Sequence, residues 1–189
     1  MLFRSSAPDS VQGALAAGLL GGGSRFLGVT EDSAHFLHRT ISALEAVPAV
    51  GDDAGWDAVA LQAVERTKAA GSFVPGLGHP VHKLGDPRTP RLFGLAREHA
   101  VLGAHLSLFE AIGRVHPQVL GKTLPLNGAG VCGAVLADIE VPLGVVRGVA
   151  LLARCAGLLG QLSEEMSDPI AMSMYMNIDR NTDYQPTAE

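Results

Sequence analysis

The sequence predicts an all-α protein. Apolar residues recur at helical spacing between loops rich in glycine and proline, and no stretch alternates polar and apolar residues convincingly over six positions. Helix-start signals also stand in front of the apolar runs.

Taken in chain order, Ala7-Pro8-Asp9-Ser10 opens an Ala/Leu-rich helix that stops at Gly21-Gly22-Gly23. Thr30 reads as an N-cap, with Glu31 and Asp32 placing acidic charge in the first turn of a helix reaching about Val47. Gly51 to Gly55 reads as a loop, and Trp56 to Ala70 has helical spacing through Val59, Ala63 and Thr67. A long loop from Gly71 to Arg88 leads to helices at about Thr89 to Val101 and Ala104 to Val115. After Pro125, "LNGAGVCGAVLADI" is a glycine-rich start to a short apolar helix, and Pro142 opens the longest helix, running to about Glu165.

The 189 residues are 47% hydrophobic and only 17% charged, which supports a sizeable core and excludes a disordered chain. The net charge of −5 argues against a nucleic-acid binder, which carries a basic face. Cys132 and Cys155 lie in apolar runs without metal-ligand spacing, so they read as free thiols and no metal is expected. The start, Met1-Leu2-Phe3-Arg4, has no signal-peptide pattern, and Arg147 and Arg154 interrupt the apolar run from Val141 to Leu162. The expectation is a cytoplasmic protein without a membrane span.

The loop "VPGLGHPVHKLGDPRTPRL" concentrates the chemistry. Gly76-Leu77-Gly78 offers bare backbone groups that can approach a flat or phosphorylated ligand. His79, stiffened by Pro80, can donate to a carbonyl oxygen. Arg88 follows the rigid Asp86-Pro87 turn, and its fork suits a carboxylate; Lys83 is a compact charge suited to phosphate. The bland alternative is an exposed loop whose His79 and Arg88 are merely solvated or ion-paired.

Arg154 stands in a helix that looks apolar on every face, so it reads as a buried cation needing an anion, with Arg147 on nearly the same face. The same helix carries Gly144, Gly148, Gly157 and Gly160 at about 1 kcal/mol each relative to alanine, which suggests close approach of another backbone. That backbone belongs either to the same chain or to a second copy.

"PGLGHPVHKLGDPR" resembles the signature of the citrate synthase superfamily, in which Pro-Gly-x-Gly-His precedes Asp-Pro-Arg at this spacing. "AAGLLGGGSRFLG", "LNGAGVCG" and "LLARCAGLLGQLSEE" resemble its glycine-rich turn, its Asn-Val-Asp segment and its arginine-bearing long helix. The length and the "EEMSDPI" ending look closest to the citryl-CoA lyase-like members. The resemblance implies a two-domain dimer, with large-domain helices at 1–21 and 142–189 and a small domain at 22–141. The family's N-terminal large-domain helices are not matched, so the large domain is expected to be N-terminally incomplete.

By the same resemblance His79 binds the keto or hydroxyl oxygen of an oxaloacetate-like acid and is the catalytic histidine. Arg88, Arg154 and Asn127 bind the acid. Pro75, Gly76, Leu77 and Gly78 cup the adenine of coenzyme A, with Lys83 near its phosphates. The family's catalytic aspartate falls on Ala129, and the histidine of its Leu-His-Gly-Gly turn on Gly21. The arginine that a neighbouring subunit supplies has no clear match.

Aldol chemistry on an acyl-CoA needs a base that alanine cannot supply. His82, His35, His38 and Glu110 are the conceivable substitutes. The expected function is acyl-CoA carbon–carbon bond cleavage or formation, as a lyase or transferase. The alternative is a catalytically impaired paralogue that binds coenzyme A or a dicarboxylate as a sensor or assembly partner.

Overall fold

The computed structural model describes residues 10–186. Among them the regular elements are all helices, with one isolated antiparallel bridge between Leu77 and Leu126. The chain divides into two compact units. One is Ser24–Ala150, and the other joins the described parts of Met1–Gly23 and Leu151–Glu189.

In Ser24–Ala150 the elements are α2 (Ser24–Leu27), α3 (Val29–Ser42), α4 (Asp53–Ala69), α5 (Arg88–Glu98), α6 (Ala104–Leu120) and α7 (Gly128–Asp138). The first turns of α8 (Leu143–Ser167) also belong here. Trp56 of α4, Leu37 of α3, Leu106, Phe109 and Ile112 of α6 and Val131 of α7 form one core, each almost fully buried. The Trp56 indole N–H finds the Ala49 carbonyl at 2.9 Å, which removes the polar cost of burying the ring. A smaller cluster of Ala34, Ala137 and Val146 ties α8's first turns to α3 and α7, so this unit runs to Ala150 where 141 was expected.

Several boundaries move for identifiable reasons. α4 begins at Asp53 and not Trp56, because the Asp52 carboxylate caps it by accepting from the Gly55 N–H at 3.0 Å. α3 starts after Gly28, leaving Thr30 inside the helix and buried. It ends at Ser42, short of Val47, with Ala43 as its C-cap. α6 continues past Val115 through Pro117 and stops at Gly121, whose φ of 68° gives a left-handed cap.

The second unit holds α1 (Val11–Leu20), the rest of α8 and α9 (Ala171–Arg180). Neither α9 nor the short α2 is among the helices predicted from the sequence. The expected start of the first helix at Ala7-Pro8-Asp9 lies outside the described residues.

α8 corrects three expectations. Arg154 is exposed and not buried. Arg147 does not converge with it on a ligand, because its Nε lies 2.9 Å from the Glu31 carboxylate and its Nη2 3.2 Å from Ser24 Oγ. A Cβ added at Gly144, Gly148, Gly157 or Gly160 would meet nothing within 4 Å, so no backbone of the same unit approaches these glycines. α8 is also long and apolar enough to cross a membrane by length and composition, its best 18-residue window having a mean hydropathy of 1.6. The two arginines do not prevent that.

Candidate active site

The site is built inside Ser24–Ala150, where the loop 74–85 meets the N-terminus of α7. Gly78 N–H donates to the Pro125 carbonyl at 2.7 Å, and Asn127 N–H donates to the Gly76 carbonyl at 2.9 Å. The Asn127 amide works at both ends. Its Oδ1 caps α7 by accepting from Gly130 N–H at 2.9 Å, and its Nδ2 donates to the Gly78 carbonyl at 2.7 Å. Leu77 N–H donates to the Val74 carbonyl. The sequence suggested a bare glycine-rich backbone, but three of the six polar groups of Gly76–Gly78 bond to Pro125 and Asn127 at the head of α7.

Glycine is required where these segments touch. Gly76 has φ +82°, and a Cβ there would lie 2.8 Å from both Gly130 Cα and Phe109 Cζ. A Cβ on Gly130 would lie 2.5 Å from Phe109 Cζ. One on Gly128 would meet the Arg88 side chain at 2.9 Å. Gly76 of the loop and Gly130 of α7 are thus one close contact seen from its two sides.

His79 has a defined tautomer. Its Nδ1 accepts from the backbone N–H of Val81 at 3.1 Å and of His82 at 2.9 Å, so the lone pair is at Nδ1 and the ring proton at Nε2. Burial is the first influence holding this imidazole below its usual pKa. The neighbouring His82, Arg88 and Lys83 add to it, against an opposing pull from Asp86.

Arg88 opens α5 and is aimed by Asp86. The Asp86 carboxylate accepts from Arg88 Nε at 2.9 Å, Arg88 Nη2 at 2.6 Å, Arg88 N–H at 3.0 Å and Gly128 N–H at 2.7 Å. Asp86 is buried, and the Arg88 hydrogen bonds are the leading reason its carboxyl is held far below the usual carboxylate range. From the sequence alone Asp86 reads only as half of a turn. The Asp-x-Arg spacing was the available signal for its role as acceptor.

Arg88 Nη2 stands 3.3 Å from His79 Nε2. Both atoms carry hydrogen and neither has a free lone pair, so they do not bond to each other. Two donors side by side make a seat for one carbonyl, hydroxyl or carboxylate oxygen. The Arg88 side chain is 56% exposed, which leaves the seat open to solvent.

The remaining residues fall as follows. Pro75, Gly76, Leu77, Gly78, His79, Arg88 and Asn127 come together here. Lys83 is exposed further along the loop, its N–H on the Val81 carbonyl. Exposed Phe73, Val81 and Leu84 surround this stretch. Arg154 belongs to the other unit. Ala129 sits in the first turn of α7, half-buried. Among the described residues no three His, Cys, Asp or Glu side chains form a metal site.

An all-helical fold thus carries an oriented His–Arg donor pair beside a close glycine contact. Residues 34–174 match the family described as citrate synthase, C-terminal domain, and the chain belongs to that family. Comparison with curated proteins found no match.

Among solved structures, citryl-CoA lyase from Hydrogenobacter thermophilus is similar over 98% of this chain and 68% of its own, at 26% identity and a TM-score of 0.80. The ATP citrate lyase from Methanothrix soehngenii, solved with citrate and coenzyme A, shares the fold at 23% identity. Its TM-score is 0.76, covering 100% of this chain and 30% of the enzyme. A Methanosaeta concilii ATP citrate lyase, an aspartate-to-alanine variant holding (3S)-citryl-CoA, shares it at 21% identity and a TM-score of 0.70. That match covers 98% of this chain and 30% of the enzyme.

Proposed function

We propose that this chain binds a citryl-CoA-like thioester and breaks its carbon–carbon bond, giving an acyl-CoA and an oxo acid. The observation that carries this is the pair of donors at His79 Nε2 and Arg88 Nη2, 3.3 Å apart and each oriented by other groups. Similarity to a citryl-CoA lyase over nearly the whole chain supports the substrate class.

In cleavage the tertiary hydroxyl of the acid becomes a carbonyl, so negative charge builds on that oxygen as its proton leaves. Donors already fixed by Asp86 and by the Val81 and His82 amides stabilise this charge without reorganising, and such a donor is typically worth about 10²–10³ in rate. In this reading the Pro75 to Gly78 segment lies along the adenine of coenzyme A. Lys83 meets its phosphates, and exposed Phe73, Val81 and Leu84 cover its apolar parts. We also place the protein in the cytoplasm as a homodimer, joined through the open glycine face of α8.

The test is oxaloacetate release from citryl-CoA by the purified chain, read by coupled reduction to malate. Arg88→Leu should lower kcat/KM by about a hundredfold or more. Turnover unchanged in that variant, or no binding of citryl-CoA by the wild type, overturns the reading.

A further inference from the structure

The proposed cleavage needs one group that takes a proton and returns it, and the His79–Arg88 seat does not contain it. His79 has its lone pair bound by two amides and its proton at Nε2. Asp86 accepts four N–H bonds. Position 129 is alanine.

Other candidates in the same unit are engaged or, like His35 of α3, stand off the site loop. Glu110 is paired with Arg97 at 2.8 Å. Asp138 accepts from the N–H groups of Gly103, His105 and Leu106 and from the His105 ring. His105 Nε2 in turn meets His38 Nδ1 at 3.4 Å. Their centroids are 5.7 Å apart and their planes only 7° from parallel. Centroid and nitrogen separations therefore differ by two ring radii, which places the rings edge to edge in one plane as a hydrogen-bonded pair. His116 uses both nitrogens, on the Ile112 carbonyl and the Leu124 N–H.

What is left on the site loop is His82. Its ring lies 4.5 Å from that of His79, centroid to centroid, tilted by 38°. It is half-buried, and among the described residues no protein group bonds to either ring nitrogen. Its own N–H is one of the two that fix His79, so the turn that makes His79 a donor also places the second imidazole.

We propose that His82 is the proton carrier of this site, a role that rests on the lyase reading above. Neutral His82 takes the hydroxyl proton of the citryl thioester. The electrons of that O–H bond become the new C=O bond as the carbon–carbon bond breaks, and the electrons of the broken bond form the thioester enolate. His82 then delivers the same proton to the enolate carbon. The products are an acyl thioester, an oxo acid and neutral His82, so atoms and charge balance without a co-reactant. A proton on His82 also opposes a second one on His79, which keeps His79 a neutral donor during the cycle.

The test uses citryl-CoA as the probe, with His82→Gln and His82→Ala in the full chain. The expected result is a kcat lower by 10²–10⁴-fold, the range of general acid–base catalysis. KM and the melting midpoint should hold, and added imidazole should restore part of the His82→Ala activity. Unchanged kcat overturns the inference while leaving the lyase reading intact. So does a loss of kcat that tracks a raised KM or a lowered midpoint, since His82 is then a contact or structural residue. A wild type that binds citryl-CoA without cleaving it overturns the inference and leaves a binding site. Failure to bind at all removes the lyase reading itself.

Discussion

Gly76 and Gly78 provide an internally controlled test of the loop contact. Both have positive φ, +82° and +90°, so alanine pays a similar left-handed penalty at each, about 1–2 kcal/mol. Reduced freedom of the unfolded chain returns about 0.4–1 kcal/mol of this in both variants. The difference is steric. A Cβ on Gly78 meets nothing within 4 Å, whereas one on Gly76 lies 2.8 Å from Gly130 Cα and Phe109 Cζ and 2.9 Å from Ser33 Oγ. Two of these neighbours are backbone or a fully buried ring and cannot move aside, so overpacking adds about 1–3 kcal/mol at Gly76 alone. Gly78→Ala should therefore cost about 1 kcal/mol and Gly76→Ala about 2–4 kcal/mol. Urea unfolding, followed by the buried Trp56 fluorescence, measures both midpoints. Equal shifts in the two variants would refute the contact between the loop and α7.

Asp86→Asn keeps the shape but faces Arg88 and Gly128 N–H donors with an amide; with Arg88 half-exposed, the expected loss is about 2–3 kcal/mol by thermal unfolding. Because folded-state partners hold the Asp86 carboxyl down, its stabilisation is complete above the ordinary aspartate value, about 3.9, and fades as pH falls below it. The asparagine variant should lack that part of the acid-side slope. Lys83→Ala should weaken coenzyme A binding by about 1.5–3 kcal/mol in calorimetric titration, and equal affinity would remove the phosphate contact. Ala129→Asp should raise exchange of acetyl-CoA methyl protons with solvent, read by deuterium incorporation; no gain in a folded, CoA-binding variant would show that a carboxylate at the head of α7 does not reach the thioester.

Much of the fold was legible because its signals are local. Helical periodicity recurs within short stretches, so most helices were read, but the Asp52 and Asn127 caps and the Gly121 stop were not, and the bounds of α4 and α6 moved accordingly. α9 gave no such signal: its N-cap is Ile170, without a side-chain bond. The site was legible in its residue types but not in its bonding. The Gly76–Gly78 backbone looked bare because its partners, Pro125 and Asn127, lie far along the chain. Asp86 looked like a turn residue because Gly128, which shares it with Arg88, is 42 positions away. Arg154 was misjudged for the opposite reason. Composition shows that a helix is apolar, but not whether its own unit covers it.

The central claim is that His79 Nε2 and Arg88 Nη2 together receive one oxygen of an oxo or hydroxy acid. A crystal structure of the full chain with citrate and coenzyme A tests it most directly. The expected result is a single citrate hydroxyl or carboxylate oxygen at about 3 Å from both nitrogens, with Asp86 still holding Arg88. Citrate bound elsewhere at saturating concentration, or Arg88 turned away from His79 to meet it alone, would contradict the account.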